Sequence, residues 1–327
     1  MSSFSEIIGY GGIIDHLKNS ILSNRVSHAY IFDGQAGMGK TTLAKALAKT
    51  VECESRGADA CGRCISCRVF ESGSHPDVFY VTSSKKSIGV DDIRDQVIKP
   101  METPPYRYRY KVFIIGNADT MTPAAQNALL KTIEEPAPYG LFLLLSENYG
   151  AFLPTVISRC VVFRLKPLPE TDIINYLARK GIDEVRARLY SAFAQGNIGK
   201  AERLASSENF AGMREAVISL AQGLRGMDTP DLFAGFRALE PYKEDIQELL
   251  DLFMLWYRDV IIMKRTDSAR FLFQPDKQNE IRAGARAEDL SSLCDKFNAI
   301  WQAKRNLKQN GNFQLTLEMM LLSMGSG

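Results

Sequence analysis

No apolar run in this 327-residue sequence approaches the roughly 18 residues that a membrane-spanning helix requires. The longest candidate, LFLLLS at 141–146, has the length of a buried strand. The opening MSSFSEIIGY lacks a basic stretch followed by an apolar core, so no secretory signal is expected and the protein reads as cytoplasmic. Charge of one sign is scarce as well: 40 Lys+Arg against 38 Asp+Glu leave a net +2. A chain that grips duplex DNA across a whole face usually carries a larger basic excess, so any nucleic-acid contact must be local or shared with partner chains. Neither internal repeats nor low-complexity tracts are visible. Six cysteines are too few to scaffold a chain of this size, and four of them crowd into residues 53–67. In a reducing compartment such crowding reads as metal binding rather than crosslinking.

What is present is alternation. The length suggests two or three domains. Ala29 to Phe32 reads as a short apolar strand, followed by a Gly-rich turn and a helix on which Leu43, Ala46, Leu47 and Val51 share one face. Further strands are expected at 78–81, 111–115, 141–145 and 160–165. Helices are expected at 90–98, ended by Pro100, and at 123–135, closed by Pro136. Strands alternating with helices imply an α/β fold with a doubly wound parallel sheet over residues 1–167. After Pro167-Leu168-Pro169 the pattern is helical, with a small domain at 168–207 and a second at 208–327. The second includes the apolar stretch 246–263 and helices over 287–309 and 313–324. Its apolar residues Leu249, Leu250, Phe253, Trp256, Met319, Met320 and Leu322 suit an ordinary core.

Gly34-Gln35-Ala36-Gly37-Met38-Gly39-Lys40-Thr41 matches G-x-x-x-x-G-K-[ST] in full and lies between a strand and a helix. Glycines let successive backbone N–H groups turn inward around phosphates, and the helix N-terminus adds positive potential. The ligand expected is ATP or ADP: Lys40 would bridge the β- and γ-phosphates of ATP, Thr41 would ligate Mg²⁺, and Thr42 beside it completes the nucleotide-binding set. Hydrolysis needs more: an acid at the end of the 111–115 strand to hold the Mg²⁺ shell and a second to orient water. Gly116 and Asn117 stand there instead. Asp119 follows after the loop has turned and is expected to cap the turn before the next helix.

Cys53, Cys61, Cys64 and Cys67 offer four thiolates, three at knuckle spacing around Gly62. Four soft sulfurs in a tetrahedron favour a closed, structural Zn²⁺ site. An iron–sulfur cluster and free thiols are the alternatives, and His75 is the nearest other ligand type. Cys160 and Cys294 lack partners and are expected in the interior. Tyr106 to Lys111 interleaves aromatic and basic residues, as single-strand stacking surfaces do, but also alternates like an edge strand, which is preferred. Ser83 to Ser87 reads as a solvated loop.

Phe152 to Cys160 ends in Ser158-Arg159-Cys160, where Arg159 by spacing alone is a surface charge or a functional group. Together with the loop at 34–41, this resembles the AAA+ clamp-loader family. His28-Ala29-Tyr30-Ile31-Phe32, Ile88 to Arg94, Gln126 to Pro136, and Phe142 to Asn148 match the family at their own positions. The likeness is dense over residues 4–167, loose to about 206 and weak beyond. It implies an AAA+ P-loop parallel sheet with an inserted zinc knuckle, a helical lid and an all-α C-terminal collar.

The resemblance also implies that Arg159, with Ser158, serves a neighbouring subunit's nucleotide as an arginine finger in trans. A guanidinium is a fixed fork of donors that stays charged. The implied partners are gamma/tau and delta subunits in a hetero-pentamer, with a sliding clamp and primer-template DNA reached through the assembly and no membrane. Two kinds of member carry both knuckle and Ser-Arg-Cys: an ATP-hydrolysing motor and a largely rigid, arginine-presenting partner. Gly116-Asn117 favours the latter, with little or no ATPase activity of the chain alone. An active motor and a zinc-knuckle DNA-binding protein regulated by nucleotide are the rivals. Gly196-Asn197-Ile198-Gly199-Lys200 sits where the family often has a phosphate-contacting Arg, and Lys200 is one position out of register, either a phosphate contact or a helix N-terminal charge.

Overall fold

All five expected strands form, as β1 (Ala29–Asp33), β2 (Val78–Val81), β3 (Lys111–Ile115), β4 (Gly140–Ser146) and β5 (Val161–Arg164). The computed structural model describes residues 3–325 except 84, 208, 225–228 and 310. Every pairing is parallel and the strand order is β2-β3-β4-β1-β5. β3 and β4 are buried along their whole length, as strands covered on both faces must be.

Side chains alternate between two cores. Tyr30, Phe32, Val112, Ile114, Leu141 and Leu143 pack against Leu43 and Leu47 of α2 (Lys40–Val51) on one face. Ile31, Phe113, Ile115, Phe142 and Leu144 meet Leu129 and Ile133 of α4 (Pro123–Glu134) on the other. The helix after β1 therefore covers one face and the helices after β3 and β4 the opposite one. Such a reversal opens a crevice at the carboxyl ends of β1 and β4, where open α/β sheets bind ligands. The complete phosphate-loop motif of residues 34–41 runs from the end of β1 into α2 at that crevice.

Two local expectations give way. Residues 106–110 form no strand, because the Asp77 carboxylate accepts the backbone N–H groups of Tyr106 (2.6 Å), Arg107 (3.3 Å) and Tyr108 (3.4 Å). Glu52 takes the N–H of Tyr110 at 2.9 Å. The segment expected to be a helix over 90–98 is helical at Val90–Ile93, widens into a π-turn over Arg94–Ile98, and continues through Lys99–Met101. Pro100 thus sits inside the helical path rather than ending it. Its lack of an N–H is tolerated in the first turn of a new segment.

The described chain divides into two units, one running to Tyr176 and including Gly196–Lys200, the other holding Leu177–Gln195 and the residues from Ala201 onward. The second unit is all helical. Its central helix, Ile246–Thr266, buries Leu249, Leu250, Phe253, Trp256 and Tyr257 against Leu293, Ile300, Leu317 and Met320 of later helices. Met319 is exposed and leaves the expected core, whereas Leu322 is partly buried and packs against it. Cys294 is likewise exposed, whereas Cys160 is partly covered and burial pushes its thiol up to about 12. Among the described residues no helix is long and apolar enough to cross a membrane.

Gln126 on α4 is buried and fully bonded: its Nε2 donates to Met121 O (3.2 Å) and Ala151 O (3.0 Å), and its Oε1 accepts Leu153 N–H at 2.8 Å. It thereby holds the segment that enters α5 (Pro154–Ile157), the short helix before Arg159. Gln126→Ala leaves one buried and two partly buried backbone groups without this partner and is expected to cost about 2–3 kcal/mol in urea unfolding.

Candidate functional site

The loop of residues 34–39 leaves β1 and enters α2 at Lys40. Gly37 (φ 81°) and Gly39 (φ 88°) take left-handed conformations that side chains rarely adopt, which turns the intervening backbone inward. Met38 is buried beneath the loop, while Gln35, Ala36 and Gly37 are exposed, as are Thr41 and Thr42 on the first turn of α2. Gly34 N–H donates to Ser146 O at 3.0 Å, tying the loop to the end of β4. Lys40 Nζ donates to Gly34 O (2.5 Å) and Gln35 O (3.0 Å) and lies 3.7 Å from Glu147. Burial lowers its pKa from the ordinary lysine value, against the opposing pull of Glu147, Asp119 and Asp33.

β3 ends at Ile115, and Asn117 turns away in a left-handed conformation, exposed. No carboxylate stands at the strand end. Asp119 lies in the Ala118–Thr120 turn before the next helix, and Thr122 caps that helix, its hydroxyl accepting Ala125 N–H at 3.2 Å. Asp119 Oδ1 is buried without a hydrogen-bond partner, and its charge acts on Lys40. Asp33 accepts from Ser146 Oγ at 3.1 Å. The crevice therefore holds one lysine with three carboxylates around it, none at the position that ordinarily holds the Mg²⁺ shell.

The four cysteine sulfurs lie within 4.8 Å of one another and could hold a metal ion. Sulfurs around a tetrahedral zinc would sit about 3.8 Å apart, given Zn–S bonds of about 2.3 Å. Cys53 Sγ and Cys64 Sγ are 4.0 Å apart. Backbone N–H groups of Arg63 and Cys64 pull the Cys61 thiol down to about 6, towards the thiolate that binds metal, while burial pushes Cys67 up. Cys64 also caps α3 (Ile65–Glu71), its sulfur accepting Cys67 N–H at 3.4 Å. His75 stands outside the cluster: its Nε2 meets Ser66 Oγ at 3.2 Å and its Nδ1 accepts Asp77 N–H at 3.3 Å.

Arg159 lies just past α5, half-exposed. Its guanidinium bonds Thr155 O (3.0 Å) and Ser158 Oγ (3.2 Å) and pairs with Glu134 at 2.9 Å. Ser158 Oγ itself donates to Thr155 O at 3.1 Å. Burial lowers the pKa of His28, against the raising effect of a hydrogen bond with the Arg159 backbone. Neither the Glu134 tether nor the His28 contact carries a sequence signal, since the partners are distant in the chain.

Residues 10–169 match the family model described as DNA polymerase III, delta subunit, and residues 226–325 match DNA polymerase III, delta subunit, C terminal. The chain is 32% identical to DNA polymerase III subunit delta' of Bacillus subtilis, over 95% of this chain and 94% of that one. It is 27% identical to the same organism's subunit tau over 85% of this chain but 53% of the relative. It is 35% identical to Escherichia coli subunit tau over 54% of this chain and 27% of the relative. The matched tau relatives are thus much longer, whereas the delta' relative is matched end to end. This chain belongs to the DNA polymerase III delta-subunit family of clamp-loader subunits.

Proposed function

We propose that this chain acts as a delta-prime-type subunit, binding ATP or ADP with Mg²⁺ as a largely static ligand and lending Arg159 to the nucleotide site of an adjacent motor. The observation that carries this reading is the combination of a complete phosphate loop with a strand end that offers Gly116 and Asn117 where hydrolytic acids belong. Backbone N–H groups of residues 34–39, Lys40 and Thr41 would hold the phosphates and their Mg²⁺, which neutralises phosphate charge when bound. Lys40 now spends its donors on the loop's own carbonyls, and a phosphate would compete for them. Cys53, Cys61, Cys64 and Cys67 would hold structural Zn²⁺.

In this reading the partners would be gamma/tau and delta subunits in a hetero-pentamer that uses ATP to load a sliding clamp onto primer-template DNA, and the end-spanning likeness to a delta' subunit supports it. Residues 168–207 would serve as the lid and 208–327 as the oligomerisation collar. Exposed Met319, Leu315 and Trp301 on the C-terminal helices support a partner-covered surface there.

Equilibrium binding of a fluorescent ADP analogue tests the site. Lys40→Ala is expected to weaken it by about 100-fold, through loss of a charge-assisted phosphate contact. Wild-type affinity in that variant would remove the loop from the account.

A further inference from the structure

The segment at 196–200 packs on the phosphate loop and bonds two of its carbonyls. Asn197 Nδ2 donates to Ala36 O at 2.7 Å, and Gly199 N–H donates to Gly37 O at 2.9 Å. Asn197 Oδ1 also accepts Lys200 N–H at 2.9 Å, so one side chain caps the helix Ile198–Ser206 and holds the loop. The fit leaves no space. A Cβ on Gly199 would stand 2.7 Å from Gly37 O and 2.8 Å from Gly37 Cα, and one on Gly37 would stand 2.6 Å from Asn197 Oδ1. At Gly199 backbone meets backbone, while Gly37 is held to glycine by its φ of 81° and by the Asn197 side chain above it. The place where an arginine was the family expectation therefore has no room for any side chain, and Lys200 enters the arrangement through its backbone N–H.

We infer that Asn197 and Gly199 are positioning residues for the phosphate loop, binding the carbonyls of Ala36 and Gly37 so that the loop's N–H groups stay turned inward before any ligand arrives. The two bonds occupy loop carbonyls, whereas a phosphate needs the loop's N–H groups, so they compete with nothing a phosphate needs. Preorganisation of this kind raises affinity by removing the cost of ordering the loop on binding. The consequence for affinity rests on the nucleotide reading above; the positioning itself does not.

Asn197→Asp separates the two jobs of this side chain. An aspartate caps a helix as well as asparagine does but has no donor for Ala36 O. Thermal stability is expected to stay near wild type, while amide hydrogen exchange at residues 36–39 speeds up and affinity for a fluorescent ADP analogue falls about five- to tenfold. Gly199→Ala, which must push Gly37 away, is expected to give the same two changes. Wild-type exchange at 36–39 in both variants would overturn the inference, and faster exchange with unchanged affinity would overturn its consequence for binding. If the wild-type chain binds no nucleotide, the nucleotide reading falls, and exchange alone then decides whether these residues position the loop.

Discussion

Replacing Arg159 with alanine is expected to leave nucleotide affinity of this chain unchanged while slowing ATP turnover at the neighbouring site on the order of 10³-fold. That is the lower end of what an arginine supplied in trans contributes to phosphoryl transfer. Arg159 lies away from its own chain's loop contacts, bonded to Thr155 O, Ser158 and Glu134, so removing it touches nothing that holds a nucleotide here. The Glu134 pair joins two partly exposed groups, and such pairs contribute about 0–1 kcal/mol. Leaving it for a partner's phosphate is therefore inexpensive. Glu134→Gln should consequently leave turnover of the assembled complex near wild type. Arg159→Lys keeps the charge and loses the planar fork, and it should recover little of the lost rate. Single-turnover kinetics of the assembled complex reads these effects, and an unchanged rate in Arg159→Ala would end the trans role.

Metal loss is the second large effect. Purified protein should carry about one zinc per chain, and Cys64→Ser should lower the melting temperature by about 10 °C, corresponding to about 3 kcal/mol in a domain of this size. The reasoning is local. Cys64 is at once a candidate ligand and the cap of α3. Cys53 directly follows the C-terminal end of α2, whose Lys49 pairs with Glu71 at the end of α3 at 2.5 Å. Asp59, inside the knuckle, accepts the N–H groups of Phe4 and Ser5 at 3.0 Å each and so anchors the N-terminal segment whose Phe4 enters the core. Freeing residues 53–67 loosens both attachments while leaving the phosphate loop, at the other end of α2, intact. Nucleotide affinity should survive the substitution. A metal-free wild type with an unchanged melting temperature would show that the sulfurs hold nothing structural.

The sheet and the loop were legible because each rests on local pattern. A Gly-rich turn between an apolar strand and an amphipathic helix admits few other conformations, and runs such as Lys111–Ile115 are buried on both faces. What escaped the sequence depends on partners far along the chain. The alternating residues 106–110 have the period of a strand, but Asp77, 29 to 31 positions away, captures three of their N–H groups. Asp119 reads as a turn cap until the fold brings its charge to Lys40. Gly199 looks like a missing arginine, and only the packing of its Cα against Gly37 explains why a glycine is needed. Cys294 shows the converse error: cysteine composition favours burial, yet its place on the Leu290–Lys308 helix faces outward.

The three carboxylates around Lys40 sharpen the remaining question, because an acid in the crevice is a different thing from an acid at the end of β3. Steady-state ATP hydrolysis by the purified chain alone, with Mg²⁺ present, addresses it most directly. Turnover no faster than on the order of 10⁻³ s⁻¹ is expected, the range of a phosphate loop without a finger. Turnover near 1 s⁻¹ that vanishes in Lys40→Ala would contradict it and make this chain a motor in its own right.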